Sequence, residues 1–418
     1  MSLASPDIKT DILVAGAGAA GLSAALALAQ AGFAVVCVGR LDRRPNGRTV
    51  ALFEASLRFY KSLGLWAHFR GKTAALEKIT MIDATEARLP VPAVTFAARE
   101  IGLTAFGENI ENSILVDGLA EIAARAPGLD LHEGLLEDLS YEPEIVRATL
   151  ADGRRVEAKL VIAADGRASL ARSKAGIGAR NWAYPQVALT ALLSHRKPHR
   201  HVSTEFHTRW GPCTLVPLRA LEGRPNRSSL VWLMSAQDAD SRAALEPEAL
   251  AREIEKQVDS CVGQIEVEGA CGFFPMAGMS VDSLFGHRVA LIGEAAHVFP
   301  PLAAQGLNLS LRDIAALVEA VEDAREAGED IGGAKALSAY AKARRGDISL
   351  RTNGVDILNR SLLSNLFPID FLRGAGLVAF SVIGPLRRAL MREGVLTHRA
   401  LPRLMQARPP RYARQGRG

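Results

Sequence analysis

Residues 11–15 (DILVA) form a short run, apolar after the aspartate, that ends on glycine. That is the texture of a parallel strand buried on both faces. Residues 22–31 are rich in alanine and leucine and predict a helix, closed by Gly32 in the usual role of glycine at a helix C-terminus. The apolar run 34–38 predicts a second strand, so the chain opens as a βαβ unit. Residues 48–65 predict a further helix. Short runs at 79–82 and 94–96 predict strands, and 113–125 predict a helix with Ile114, Leu115, Leu119, Ile122 and Ala123 on one face. Residues 145–150 and 155–164 predict two strands joined by a hairpin-type turn at Asp152-Gly153. From 185 to 283 the texture changes. Runs at 187–193, 202–207, 213–218 and 229–234 are separated by proline, glycine and arginine clusters, which predicts an antiparallel sheet, interrupted by a helix near 247–258. The parallel texture returns at 289–292, and everything after 307 predicts helix.

These patterns imply an α/β fold: a Rossmann-like domain assembled from segments 1–75, 106–184 and 284–340, an antiparallel-sheet domain from 76–105 and 185–283, and C-terminal helices with a basic tail over 341–418. At 418 residues, 48% hydrophobic and 23% charged, the chain can bury a large core and is neither disordered nor collagenous. Its four cysteines form no CxxC pair and no secretory signal precedes the first strand, so a cytoplasmic protein with free thiols is expected. The net charge of +5 is concentrated at the end: residues 387–418 hold nine arginines against one acid, Glu393, so the body is mildly acidic. Residues 374–386 are uncharged but too few to span a bilayer. A solvated tail and a tail on the anionic inner face of a membrane are both open. With Tyr412 as its single aromatic, the tail is a poor reader of bases, and no nucleic-acid partner is expected.

Chemistry enters with Gly16, Gly18 and Gly21, which follow a strand and open a helix. The first glycine permits a tight turn, the second lets backbone approach a pyrophosphate, and the third lets helix and strand pack closely. An acid for the adenosine ribose is expected about 20 residues on. The second strand ends in Gly39-Arg40 instead, which taken alone leaves NADP as a contender. The histidines at 195, 199, 201 and 207 lack metal-ligand spacing, so no metal is expected. No GxSxG, P-loop or HExxH motif is present.

Two later segments decide between dinucleotides. Residues 160–172 (LVIAADGRASLAR) and 289–313 (VALIGEAAHVFPPLAAQGLNLSLRD), with the glycine loop, resemble the FAD-dependent aromatic hydroxylases. By that resemblance Asp165 and Gly166 lie near the flavin pyrophosphate and the groove through which NAD(P)H arrives. Gly293 and Glu294 hold the ribityl chain, Pro301 lies beside the ring, and Gln305, Gly306, Leu307 and Asn308 present backbone amides to its pyrimidine edge. Arg48 is expected to reach the cofactor from the helix after the second strand, with an ion pair to Glu54 as its alternative role. The wording AHxxPPxxAQGLNL, the stretch 205–218 (EFHTRWGPCTLVPL), Tyr340-x3-Arg344-x2-Asp347 and 362–367 (LLSNLF) are similar to the ubiquinone-biosynthesis hydroxylases of the UbiH/UbiF type, so the resemblance covers about residues 8–400.

The resemblance implies a monooxygenase that takes electrons from NAD(P)H, uses O2 and hydroxylates a polyprenylated phenol, with FAD held non-covalently. Contact with a membrane or with a ubiquinone-biosynthesis complex follows as an expectation. Three positions depart from the pattern. Gly39 replaces the ribose acid, so that Gly39→Glu is expected to tighten FAD binding; Glu294 replaces an aspartate; and Val116 stands where relatives carry a glutamine that contacts the cofactor. No catalytic acid–base pair is singled out, and His297 reads as a strand-end residue packed by the Pro300-Pro301 turn. Hydroxylation of a small soluble phenol, or a scaffold role with a vestigial flavin site, are the alternatives.

Overall fold

The computed structural model describes residues 8–41, 43, 47–85, 93–300, 304–363, 384–396 and 401–407. Pro301, most of the uncharged run 374–386 and tail residues 408–418 lie outside the described residues.

Side chains that are apolar without alternation must be covered on both sides. This happens in an eight-stranded sheet whose main path runs Phe285–Gly286, Val289–Leu291, Arg155–Ala163, Ile8–Ala15, Val35–Gly39, Leu129–Glu133. The four central pairings are parallel, with Ile12 opposite both Leu160 and Val35, Val35 opposite Leu129, and Val161 opposite Val289. Ile12 to Ala15 and Leu160 to Ala163 have no solvent exposure at all. Strands Leu136–Tyr141 and Val146–Leu150 complete this sheet. Val146–Leu150 lies antiparallel to the first half of Arg155–Ala163, and the connecting turn uses Gly153 at φ +86°. The helices Ala19–Gln30, Asn112–Ala123 and Gln305–Glu326 share one continuous core with this sheet.

A second eight-stranded sheet runs His297–Val298, Ile265–Val281, Ala179–His195, Arg227–Ser235, Gly211–Leu218, Val202–Thr208, Lys78–Asp83, Val94–Ala97. Its pairings are antiparallel except between Val202–Thr208 and Lys78–Asp83. Leu189, Ala191 and Trp232 pack with Leu250 and Ile254 of helix Pro247–Gln257, while a smaller cluster gathers Ala188, Leu233 and Met276. The strand Ile265–Val281 escaped the sequence reading because Gly269, Gly272, Pro275 and Gly278 punctuate it. The irregularities are absorbed in register shifts against Ala179–His195.

The helix expected over 48–65 is corrected. Thr49–Phe53 is a strand, and helix begins only at Glu54–Ser62. Thr49 to Phe53 pair antiparallel with Gly107–Glu111, Thr49 opposite Glu111 and Phe53 opposite Gly107, a partner distant in sequence that local propensity cannot reveal. Among the described residues, no helix is long and apolar enough to cross a membrane.

Candidate cofactor site

The C-terminal ends of three neighbouring parallel strands bring Gly16, Asp165 and Gly293 to one edge. Gly16 turns at φ +111°, and a Cβ there would sit 2.2 Å from the Ala164 carbonyl oxygen. A Cβ on Gly21 would sit 1.8 Å from the Gly16 oxygen, so both glycines are required by packing. Gly18 differs: a Cβ there would meet nothing within 4 Å. It precedes helix Ala19–Gln30, whose first turn has no side-chain cap, so the positive helix end faces open space suited to a phosphate.

Gly39 overturns the expected benefit of an acid at that place. A Cβ built on it would lie 2.1 Å from the Ala17 amide nitrogen and 2.8 Å from the Ala17 Cβ. The glycine loop has closed onto the strand end, and a glutamate cannot be added without moving the loop that Gly16 and Gly18 shape. Val116 is buried in the same core.

Asp165 accepts a hydrogen bond from the Ala171 amide through Oδ2 (3.1 Å). Its Oδ1 is buried with no partner among the described residues. Gly166 follows at φ +79°, with open space on its side-chain side. Arg172 donates to the Ala295 carbonyl (3.0 Å) and to the Arg167 carbonyl (2.9 Å), tying this loop to the 293–297 segment. Sequence reasoning assigned that arginine no role. Gly293 turns at φ +58° against Ser310, and the following Glu294 side chain is exposed.

Gln305, Gly306 and Leu307 form the first turn of helix Gln305–Glu326, entered through Ala304 at φ +50°. First-turn amides have no intrahelical acceptor, and among the described residues no side chain caps this turn and nothing lies within 4 Å of a Cβ built on Gly306. The Asn308 side chain, fully buried, is committed to structure: Oδ1 accepts from the Phe53 amide (2.9 Å) and Ser56 Oγ (2.7 Å), and Nδ2 donates to the Ala51 and Ala304 carbonyls (both 2.7 Å). This clamps the helix start to strand Thr49–Phe53. Arg48 immediately precedes that strand, rather than riding on a helix, and its guanidinium lies 5.6 Å from the Phe274 ring centroid. Glu54 pairs with Arg58 (2.8 Å).

Behind this turn runs a buried charged network. His297 Nε2 lies 2.7 Å from Asp313 Oδ2, and Arg344 Nε donates to Asp313 Oδ1 (2.8 Å). Arg344, Arg351 and Arg312 converge on Asp347 at 2.9, 2.9 and 3.3 Å. Arg351 also donates to Gln305 Oε1 (2.6 Å) and to the Glu393 carbonyl (3.2 Å) of helix Gly384–Val395. Tyr340 donates to the Leu291 carbonyl (2.7 Å). Burial alone would raise the Asp313 and Asp347 carboxyls, but the surrounding cations and hydrogen bonds outweigh it and hold both below the ordinary carboxylate range. Burial, with Arg351 nearby, pulls Arg312 down to about 10. The signal available in sequence was charge at positions where a helix should be apolar: 344, 347 and 351 share one helical face.

A model of the family described as "FAD binding domain" matches residues 9–345. The chain is 31% identical to ubiquinone hydroxylase UbiL of Rhodospirillum rubrum over 98% of its own length and 94% of that protein's. It is 30% identical to 3-demethoxyubiquinol 3-hydroxylase of Escherichia coli, over 92% and 97%. Among solved structures, p-nitrophenol 4-monooxygenase PnpA of Pseudomonas putida superposes with a TM-score of 0.77 at 17% identity, covering 94% of this chain and all of that one. The strand-end glycines, the open helix start and the coverage of these matches lead to one assignment: the chain belongs to the FAD binding domain family and is an FAD-dependent aromatic monooxygenase.

Proposed function

We propose that the protein hydroxylates the aromatic ring of a polyprenylated phenol in ubiquinone biosynthesis, using NAD(P)H and O2. The observation that carries this is near full-length similarity to two hydroxylases whose names place them on ubiquinone or its precursors. The residues present fit FAD. Among the described residues, the partnerless Asp165 Oδ1, the open sides of Gly18, Gly166 and Gly306, and two uncapped helix starts are what such a ligand would fill.

In this reading Gly16, Gly18 and Gly21 take the pyrophosphate, with Asp165 and Gly166 beside it. Gly293 and Glu294 hold the ribityl chain. Gln305, Gly306, Leu307 and Asn308 frame the ring, and Arg48 approaches from the side of the second sheet. Segments 1–75, 106–184 and 284–340 serve the cofactor, 76–105 and 185–283 the substrate, and 341–418 form the C-terminal helices and tail. Bound FAD would supply electron transfer to O2 and delivery of one oxygen atom to the ring. The chain's own contribution is orientation and dryness: the helix start at Gln305 stabilises negative charge at the pyrimidine edge, and Ala188, Leu233 and Met276 offer an apolar wall. Enrichment of arginine beyond residue 387 supports contact with an anionic membrane surface, where a polyprenylated substrate resides.

Quinone profiling of a strain lacking this gene tests the reading. A prenylated precursor short of one ring hydroxyl should accumulate. Unchanged ubiquinone would instead turn the assignment to a soluble phenol.

A further inference from the structure

A cleft of about 410 Å³ opens between the ends of strands Ala179–His195 and Ile265–Val281 and the face of helix Ala334–Leu363. Part of its wall is Ala296, two residues past Glu294, so it borders the segment assigned to the ribityl chain. Its lining is chemically mixed. Arg180 on the strand and Arg345 on the helix both line it, both exposed and neither ion-paired among the described residues. Asp282 stands with them, while Asp356 is taken by the Tyr184 hydroxyl (2.6 Å). The Trp182 indole lies against Gly278, where a Cβ would come within 2.1 Å of the ring.

Two polar atoms in this lining are unspent. Thr352 is 8% exposed, and its Oγ1 is buried with no partner; the buried Trp182 Nε1 also lacks an acceptor, both among the described residues. A buried indole N–H left without an acceptor costs free energy, so the wall is suited to receive oxygen atoms from a ligand. Two guanidinium groups suit a pyrophosphate. A carboxylate suits ribose hydroxyls, and an indole face suits a base.

We propose that this cleft binds the nicotinamide dinucleotide that reduces the flavin. Arg180 and Arg345 would hold its phosphates, Asp282 a ribose, and Trp182 with Thr352 the base and remaining oxygens. The inference rests on the reading of NAD(P)H as electron donor. It adds a place and a set of residues separate from the glycine loop that takes FAD's own pyrophosphate. The net chemistry is one hydride passed from the dihydronicotinamide to the flavin, which leaves oxidised nicotinamide and reduced flavin.

The test uses FAD-loaded protein, so that added nucleotide cannot enter the FAD site. Arg180→Gln and Arg345→Gln change exposed side chains, and unchanged flavin content and circular dichroism verify the fold. Each variant should raise KM for NADH or NADPH about ten- to a hundredfold while kcat changes little, since the lost contact is a charged hydrogen bond made equally before and during transfer. ADP should inhibit the wild type competitively against the dinucleotide, more weakly in both variants, and inorganic phosphate alone at the same concentration should not. Oxidation of NAD(P)H with unchanged KM and unchanged ADP inhibition in both variants overturns the cleft and spares the donor reading. ADP binding that depends on Arg180 and Arg345, in a wild type that oxidises neither dinucleotide, upholds the cleft as an adenosine diphosphate site and removes the donor. Neither oxidation nor ADP binding overturns both, and equal inhibition by phosphate reduces the site to a general anion patch.

Discussion

Asp313 is the residue on which the buried network behind the flavin turn depends, and Asp313→Asn isolates its charge at nearly constant shape. The carboxylate is 0% exposed and lies 2.7 Å from His297 Nε2, 2.8 Å from Arg344 Nε and 3.4 Å from the Gly293 amide. In the variant, Arg312, Arg344 and Arg351 would share Asp347, with Glu393 3.5 Å from Arg351 as a further carboxylate. Stranding a buried charge costs about 3–5 kcal/mol, a large part of the roughly 5–15 kcal/mol that holds a domain together. Because Asp313 also fixes Gly293 and His297, FAD affinity should fall at least about tenfold, equal to about 1.4 kcal/mol. Urea unfolding of the apoprotein and titration with FAD by flavin fluorescence measure the two effects. Lys335→Ala, which breaks an exposed pair with Glu329, is the control and should cost under about 1 kcal/mol with no change in FAD binding. An Asp313→Asn protein with wild-type midpoint and affinity would refute the reasoning.

Further outcomes follow from the same geometry. Gly39→Ala should already weaken FAD binding and Gly39→Glu should abolish it, because the Cβ meets Ala17; tighter binding in titration by either variant would show that the loop moves freely. Glu294→Ala should lose flavin while keeping wild-type circular dichroism, and Glu294→Asp should retain it. Normal flavin content in the alanine variant means that another acid grips the ribityl chain. Asp313 and Asp347 have folded-state pKa values below the ordinary 3.8, so their stabilisation is present above that value and lost as pH falls through and below it. FAD retention should therefore be level near neutrality and collapse below about pH 4, with a shallower acid limb in Asp313→Asn. Arg312 is incompletely paired, its Nε without a partner among the described residues, so Arg312→Met should cost within about 1 kcal/mol whereas Asp347→Asn should cost about 3–5 kcal/mol in urea unfolding. Changing Arg408, Arg411, Arg414 and Arg417 together to glutamine should preserve flavin content and abolish co-sedimentation with anionic vesicles, each arginine being worth about 1 kcal/mol near the surface. Equal sedimentation at low salt would remove the membrane contact.

The legible parts of the chain were those where one local constraint acts alone. Continuous apolar runs such as 160–163 can only be doubly covered strands, and Gly16, Gly18 and Gly21 sit in the one strand-to-helix context that requires them. Gly39 misled because the space beside it is set by Ala17, whose approach is a tertiary fact. Thr49–Phe53 looked helical because its pairing partner is distant, and Ile265–Val281 was hidden by its glycines and proline. Arg344 and Asp347 were visible as motif residues, but their role required Asp313 and Arg312 of another helix to be brought against them.

The central claim is most directly tested by incubating FAD-loaded protein with NAD(P)H, isotopically heavy dioxygen and prenylated phenol in anionic vesicles, then weighing the product by mass spectrometry. One heavy oxygen atom should appear on the ring, and its appearance should require both FAD and NAD(P)H. Product oxygen drawn from water, or oxidation of NAD(P)H with no ring hydroxylation for any prenylated phenol, would contradict the assignment.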